Sequence, residues 1–431
     1  MKRQFSTAIF LVVVFGLALT AESAELFTQS HAWTEEKWGS EILRAEPVEV
    51  NLEAIRPRER GPYRVQALAS VASLTFTVDG IQQQFAVRTE EHGGGNFSNF
   101  GKVDGSDWQS YYTVTGRSVV GELWTPQGHR SLRTIGDTTY LVEWDEAEVA
   151  RLIMNEVSVT ATVAKKGRRR AVRHPSPEPK PCTPEQVETT NLLIVYNDQA
   201  LARLGEGIQA RDAMVATGYN LGNGWNAAVI NTTGALMDRV NIVGVEHVDY
   251  IDGSSKGGSR QEQETNMSQD LNWLENSPAV KSLMQALKAD AVVFFGGRYT
   301  ELGGLADKGY AIVSSFHVFV SSHELGHALI LAGHEPAIWP VPSGLPVWAV
   351  DRAVPGVGRG FMAYGVECVA AGQDCPWQPL LAMSGVFYPG TQIESGILGQ
   401  QENGRLLSYM RNTVAFATVS GNECAAVSFA P

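Results

Sequence analysis

The chain has 431 residues, too many for one ordinary domain and enough for a catalytic unit with a smaller companion. It is 44% apolar and 19% charged, the balance of a globular protein rather than a low-complexity chain. Its net charge of −12, spread along the whole length, excludes nucleic-acid binding, which needs a basic face to displace counterions.

The first residues read as a targeting segment. Lys2 and Arg3 give a positive start, residues 8–20 are a run of small and apolar side chains, and Ala21 and Ala24 are small enough for cleavage. The pattern predicts a secretory signal peptide over residues 1–24, cut after Ala21 or after Ala24 and too short for a membrane span. No later segment is long and apolar enough to cross a bilayer. The expectation is a secreted, extracellular protein without a membrane span once the signal is removed. Four cysteines suit that compartment, since an even number can pair as two disulfides. Cys368 and Cys375 can close a small ring, and Cys182 and Cys424 can then tie the start of the second domain to its end.

Residues 25–164 show partial two-residue alternation at 63–68, 73–78, 84–88, 111–115, 118–125 and 138–144. Val78-Asp79-Gly80 and Val103-Asp104-Gly105 mark turns between such runs. The stretch has no cluster of His, Cys or paired acids at catalytic spacing and reads as a β-rich accessory domain. Residues 165–189 differ in character: Lys165, Lys166, Arg168, Arg169 and Arg170 form a basic run, and prolines at 175, 177, 179 and 181 forbid helix and strand pairing. A processing protease can reach the backbone of such a linker; a solvated charge cluster is the plainer reading. From 190 to 431 the pattern becomes α/β. Strands are expected at 191–196, 239–248 and 289–295, and helices at 199–219 and 262–287, the latter broken at Ser277-Pro278. Residues 303–306 and 310–314 read as a loop and an edge strand just ahead of a helix over 318–332.

That last helix carries Ser322-His323-Glu324-Leu325-Gly326-His327. Residues four apart on a helix are separated by about 40° and lie one turn above each other. His323 and His327 can therefore aim at one ion, the geometry that tetrahedral zinc accepts. Glu324 is turned by about 100°, beside the place where a water on the ion would sit, and can take that water's proton. Two histidines on an apolar helix can also be packed core residues. Gly333 and His334 at the helix end, and Met362 within Phe361-Met362-Ala363-Tyr364-Gly365, favour the metal reading.

The stretch from about Thr190 to Thr418 resembles the metzincins, and within that clan the bacterial secreted, reprolysin-like zinc proteases that include the peptidyl-aspartate metalloendopeptidases. The likeness rests on the opening strand, Gly303-Gly304-Leu305-Ala306 with Ala311-Ile312-Val313, the zinc helix, and Met-Ala-Tyr at 362–364 with Cys368 soon after. Phe387-Tyr388-Pro389-Gly390, Asn403-Gly404-Arg405 and Val414-Ala415 also fit. The resemblance implies an α/β (α+β) catalytic domain with a twisted mixed sheet and a zinc-binding active-site helix, preceded by a β-rich prodomain. It implies one catalytic Zn2+ held by His323, His327 and His334, with Glu324 as general base. Met362 would form the Met-turn under the metal, and Tyr364 would be a second catalytic residue that stabilises the transition state. Polypeptide substrates would pair with the edge strand at Gly304, Leu305 and Ala306, and the chain's own propeptide would inhibit it until processing.

One departure separates the chain from the metzincin pattern, which has Gly at the eighth position and the third His ten residues after the first. Here Ile330 stands at the eighth position and His334 comes eleven residues after His323, so one residue has entered the turn. Glu335 is the substitute third ligand, since zinc accepts carboxylate oxygen. His317 is a weaker ligand candidate that reads as a core or surface histidine. Pro181-Cys182-Thr183 loosely resembles a cysteine switch, in which a prodomain thiolate fills the zinc's open position; a disulfide with Cys424 is the other reading. Arg352 and Arg359 lie in the segment expected to line the cleft and read as solvated loop residues. Two other classes stay open: a catalytically silent binding protein, which has no need of Glu324, and a zinc hydrolase of non-peptide amides, which needs a deep closed pocket.

Overall fold

A computed structural model of the chain describes residues 24–25, 27–29, 41–55, 72–154, 189–233, 239–330, 332–334, 351–373, 375–383, 385–397, 400–401 and 404. Most of the expected signal peptide, the strand at 63–68, the basic and proline-rich linker, Cys182, Glu335, Arg405, residues 414–415 and Cys424 lie outside the described residues.

The first unit is a ten-stranded sheet. Its strands are β1 (Ala24–Glu25), β2 (Phe27–Gln29), β3 (Ile42–Val50), β4 (Ala72–Val78), β5 (Ile81–Gly93), β6 (Asn96–Val103), β7 (Gln109–Thr115), β8 (Ser118–Thr125), β9 (Gly128–Ile135) and β10 (Thr138–Trp144). A short helix α1 (Leu52–Ile55) follows β3, and α2 (Glu146–Met154) follows β10. The order is β1-β4-β5-β6-β7-β8-β9-β10-β3-β2. All pairings are antiparallel except β1 with β4. Only one residue separates β1 from β2, yet they sit at opposite ends of that order, so one segment joins both edges and the sheet curls shut. Closure removes the unpaired edges that invite aggregation. The expected turn at Asp79-Gly80 is present, with φ of 50° and 76°, the left-handed pair that a two-residue hairpin needs. Phe76, Phe85, Phe97, Tyr112, Leu123 and Leu132 fill the inside of the curl.

The second unit is a five-stranded sheet of β11 (Thr189–Tyr196), β12 (Arg239–His247), β13 (Ala291–Phe295), β14 (Gly304–Asp307) and β15 (Tyr310–Val313), in the order β12-β11-β13-β15-β14. It is parallel except for β14, which runs antiparallel at one edge. Leu192, Leu193, Ile194 and Val195 are all fully buried, as expected for a parallel strand covered on both faces. The helices are α3 (Asp198–Ala202), α4 (Gly207–Thr233), α5 (Arg260–Asn276), α6 (Pro278–Leu287), α7 (Val318–Ile330) and α8 (Val366–Ala371). Two expectations need correcting. The helix predicted at 199–219 is two helices, because Gly205 and Gly207 take φ of 104° and 73° between them. The strand at 310–313 is interior, and the stretch read as a loop, Gly304–Asp307, is itself the edge strand.

The units share one hydrophobic core. The outer face of the first sheet contributes Phe100, Tyr111, Trp124, Tyr140 and Trp144, and the second unit contributes Trp225 of α4 and Phe319 of α7. At the junction Glu122, with no exposed surface, meets Arg133 at 2.5 Å, His129 at 2.8 Å, the Ser131 hydroxyl, and Asn220 of α4 at 2.9 Å. Burial alone would raise its carboxyl, but the Arg133 guanidinium, His129 and Ser131 outweigh it and hold the pKa at about 2. Arg133 also donates to the Phe316 carbonyl across the junction at 3.1 Å.

His317 precedes α7 and accepts the Phe319 N–H on Nδ1 at 3.1 Å, the role of an N-cap acceptor. Its ring lies edge-on to Trp144 at 4.5 Å. Burial first, then His129 and Arg133, hold its pKa well below the usual histidine value. A base whose folded pKa lies below its unfolded value of 6.5 is matched in both states above that pH. Below it, only the unfolded chain gains the proton, so stability falls. His92, held at about 4 by burial, acts in the same direction, and Glu122 adds a further loss between 4.5 and 2. The thermal midpoint is expected to be flat above pH 7 and to drop by several degrees between pH 6.5 and 5. His317→Asn, which keeps a cap but cannot titrate, is expected to have a shallower slope in that window; an unchanged slope contradicts the assignment.

Candidate metal centre

Every residue of α7 is buried, so this helix is held by its surroundings on all sides. His323 and His327 lie one turn apart on it, and His334 follows its end. The three rings form a near-equilateral cluster, with centroids 4.8, 4.8 and 4.7 Å apart. One ligand atom from each lies within 4.8 Å of the others, so the three histidines could hold a metal ion. Glu335, the substitute ligand, is outside the described residues, and His317 stands apart as the helix cap.

Hydrogen bonding decides which nitrogen each ring offers. His323 Nδ1 meets the Phe361 carbonyl at 2.7 Å, His327 Nδ1 the Ala332 carbonyl at 2.7 Å, and His334 Nδ1 the Met362 carbonyl at 3.0 Å. A carbonyl only accepts, so each Nδ1 carries the proton and each Nε2 keeps its lone pair. The His323 and His327 Nε2 atoms are 3.1 Å apart. Two nitrogens bound tetrahedrally to zinc at about 2.0–2.1 Å would be about 3.3 Å apart. The donor set fits the ion in chemistry, tautomer and spacing.

The extra residue in the turn has a visible accommodation. Ala332 N–H reaches back six positions to the Gly326 carbonyl at 3.2 Å, one residue further than the Schellman bond that commonly ends a helix. The same Ala332 then turns its carbonyl to His327. Gly326, between the two helical histidines, is where Met362 packs: a Cβ there would sit 2.3 Å from the Met362 sulfur. Met362 is fully buried and packs against the helix at Gly326. The Tyr364 ring lies 3.7 Å from the His334 ring and 5.7 Å from that of His323.

Two residues hold this loop, one not singled out from the sequence and one expected in solvent. Asp351 has no exposed surface, and its carboxylate accepts from the backbone N–H groups of Arg352, Met362 and Ala382 at 2.8, 2.8 and 3.1 Å. Its own N–H donates to the His334 carbonyl at 3.3 Å. His334, Asp351 and Met362 thus form a closed ring of hydrogen bonds. Arg359, expected in solvent, is instead buried; it lies 3.9 Å over the Trp377 ring and donates to the Tyr364 carbonyl at 2.7 Å. Arg352 is half-buried and donates to the Glu394 carbonyl at 2.6 Å. Neither is a solvated loop cation. The expected Cys368–Cys375 disulfide is present and packs with Ala353 and Ala363 under the same loop.

Glu324 is fully buried and faces the edge strand. A Cβ at Gly304 would lie 2.5–2.6 Å from its Cγ, Cδ and Oε1, so only glycine lets β14 approach this carboxylate. Leu305 is buried and Ala306 half-buried in the same strand, which ends the sheet order.

No protein-family model and no curated protein sequence matches the chain. Among solved structures, a chaperone–substrate complex aligns at a TM-score of 0.38 and 11% identity, over 79% of this chain and 39% of that one. Metalloproteinase-II from Bacteroides fragilis aligns at 0.34 and 12% identity, over 61% of this chain and 81% of that one. Likeness so distant leaves the functional reading to the site itself. His334→Ala is expected to abolish stoichiometric zinc or cobalt(II) uptake. Asp351→Asn is expected to weaken it by about 10–100-fold, the usual effect of losing a residue that orients ligands. Titration with cobalt(II), followed by its visible absorption, measures both; unaltered affinity in both removes this loop from the site.

Proposed function

We propose that this chain is a secreted zinc endopeptidase of the metzincin type, made as a precursor with a β-rich N-terminal unit. The observation that carries the reading is the convergence of three Nε2 lone pairs, each fixed by a carbonyl behind its ring. A zinc ion held there would supply an acidified water and polarise the scissile carbonyl.

The chain's own residues would do the rest. Glu324 takes the proton of the attacking water and returns it to the leaving amine. Gly304 lets β14 approach that carboxylate, and β14 offers an edge on which an extended peptide can lie antiparallel. Main-chain pairing there would favour polypeptides over small amides. Tyr364, packed on the His334 ring, would donate to the carbonyl oxygen as negative charge develops. His323, Glu324 and His334 have no exposed surface in the full-length chain, which suits a latent precursor activated by cutting the linker at the basic run 165–170.

Purified protein with its linker cut is expected to cleave an unfolded protein and to stop on removal of metal by a chelator. Glu324→Gln should lose about 10²–10⁴-fold in kcat while retaining bound zinc. Gly304→Val should lower activity without loss of zinc. Cleavage indifferent to both the chelator and Glu324→Gln defeats the reading, and zinc binding without cleavage of any peptide favours a silent binding protein.

A further inference from the structure

The N-terminal sheet does more than cover the second unit. Trp124 of β8 packs edge-on against Phe319 of α7, ring centroids 5.5 Å apart. Phe319 in turn stacks on Trp377 at 5.1 Å and meets Phe361 at 5.2 Å. Phe361 is the residue whose carbonyl orients His323. A path of aromatic contacts therefore runs from the first sheet to the support of the first histidine.

A second contact is closer still. A Cβ on Gly224 of α4 would meet Val318, the Tyr111 hydroxyl and the Ser322 hydroxyl at 2.5, 2.9 and 3.3 Å. Tyr111 of the first sheet thus reaches the crossing of α4 and α7, beside the residue that precedes His323. Asn220 and Asn223 of α4 point their amides into the same sheet: Asn220 to Glu122 at 2.9 Å, and Asn223 to the hydroxyls of Ser98 and Thr113 at 3.0 Å each. At the rim, Arg298 meets Glu41 at 2.5 Å and Arg151 meets Glu301 at 2.8 Å. An apolar centre, buried amides hydrogen-bonded across the junction and a charged rim are the anatomy of an obligate interface, a core divided between two pieces.

We infer that the N-terminal sheet is a permanent subunit: once the linker is severed, residues 24–154 stay bound to residues 189–431 and hold the histidine helix in place. Departure of the sheet would bare Phe319 and Val318 on α7 and leave the Asn220 and Asn223 amides without their buried partners. Processing on this view frees the linker and retains the sheet. The inference goes beyond the protease reading and does not depend on it, because association of the two pieces can be read without metal or turnover.

The test replaces residues 168–170 in the full chain with a site for a sequence-specific protease, cuts it, and runs gel filtration at neutral pH. The two pieces are expected to co-elute at one to one, with an unfolding midpoint close to that of the uncut chain. Asn220→Ala combined with Asn223→Ala should raise the dissociation constant of the cut pieces by at least about tenfold. Trp124→Ala, read in the same way, should do so by more. Separation of the two pieces at neutral pH, whether or not the larger keeps its fold, overturns the inference. An association indifferent to all three substitutions overturns it too.

Discussion

Three imidazole N–H groups donate to three main-chain carbonyls, and the rest of the centre follows from where those carbonyls originate. Phe361 and Met362 supply two from the loop beneath the helix, and Ala332 supplies the third from the helix's own exit. Each bond settles a tautomer and a ring plane together, so metal affinity becomes a property of the backbone path rather than of the histidines alone. That explains the attention the structure gives to this loop. Asp351 gathers the N–H groups of Arg352, Met362 and Ala382, and Arg359 pins the Tyr364 carbonyl while lying over Trp377. A buried carboxylate without such donors would be costly; with three of them it becomes a rigid node.

The helical histidine pair was legible because its logic is local: four residues of spacing place two rings on one face whatever surrounds the helix. His334 was harder. Its register departs from the usual pattern, and only the seven-residue turn closed by Ala332 and Gly326 shows how the chain absorbs the extra residue. Neither Asp351 nor the buried role of Arg359 was legible. An aspartate and an arginine in a glycine-rich loop look like solvent-facing residues until tertiary contacts bury them, and no periodicity marks such a site.

The strands that escaped notice tell a related story. β7, β8 and β10 alternate visibly, whereas β9, with His129, Ser131 and Arg133, reads as polar. Those polar side chains are buried around Glu122, so the alternation is real but one of its faces is written in hydrogen-bonding groups. Asn220, Asn223 and Asn226 on α4 mislead in the same way. Spaced by three, they look like a wet face, yet all are buried and bonded, two to the first sheet and one to Val240 of β12. Interfaces between units hide from pattern reading when they are specified by buried hydrogen-bonding groups.

The histidine helix itself is a poor candidate for independent existence. It opens with Val318, Phe319 and Val320 and has Gly326 at its middle, residues that do little for an isolated helix, and it is far too short to persist alone in water. Its order must come from packing: β14 and β15 on one side, α4 on another, the Met362 loop beneath, and Trp124 with Tyr111 near its first turn. Glycine marks the closest of these approaches, Gly304 against Glu324, Gly326 against Met362 and Gly224 against Val318. A helix shaped by neighbours on every side transmits any shift in one of them to the histidines. Positioning of the three histidines is therefore distributed over both units of the chain, and the N-terminal sheet bears on them through packing alone.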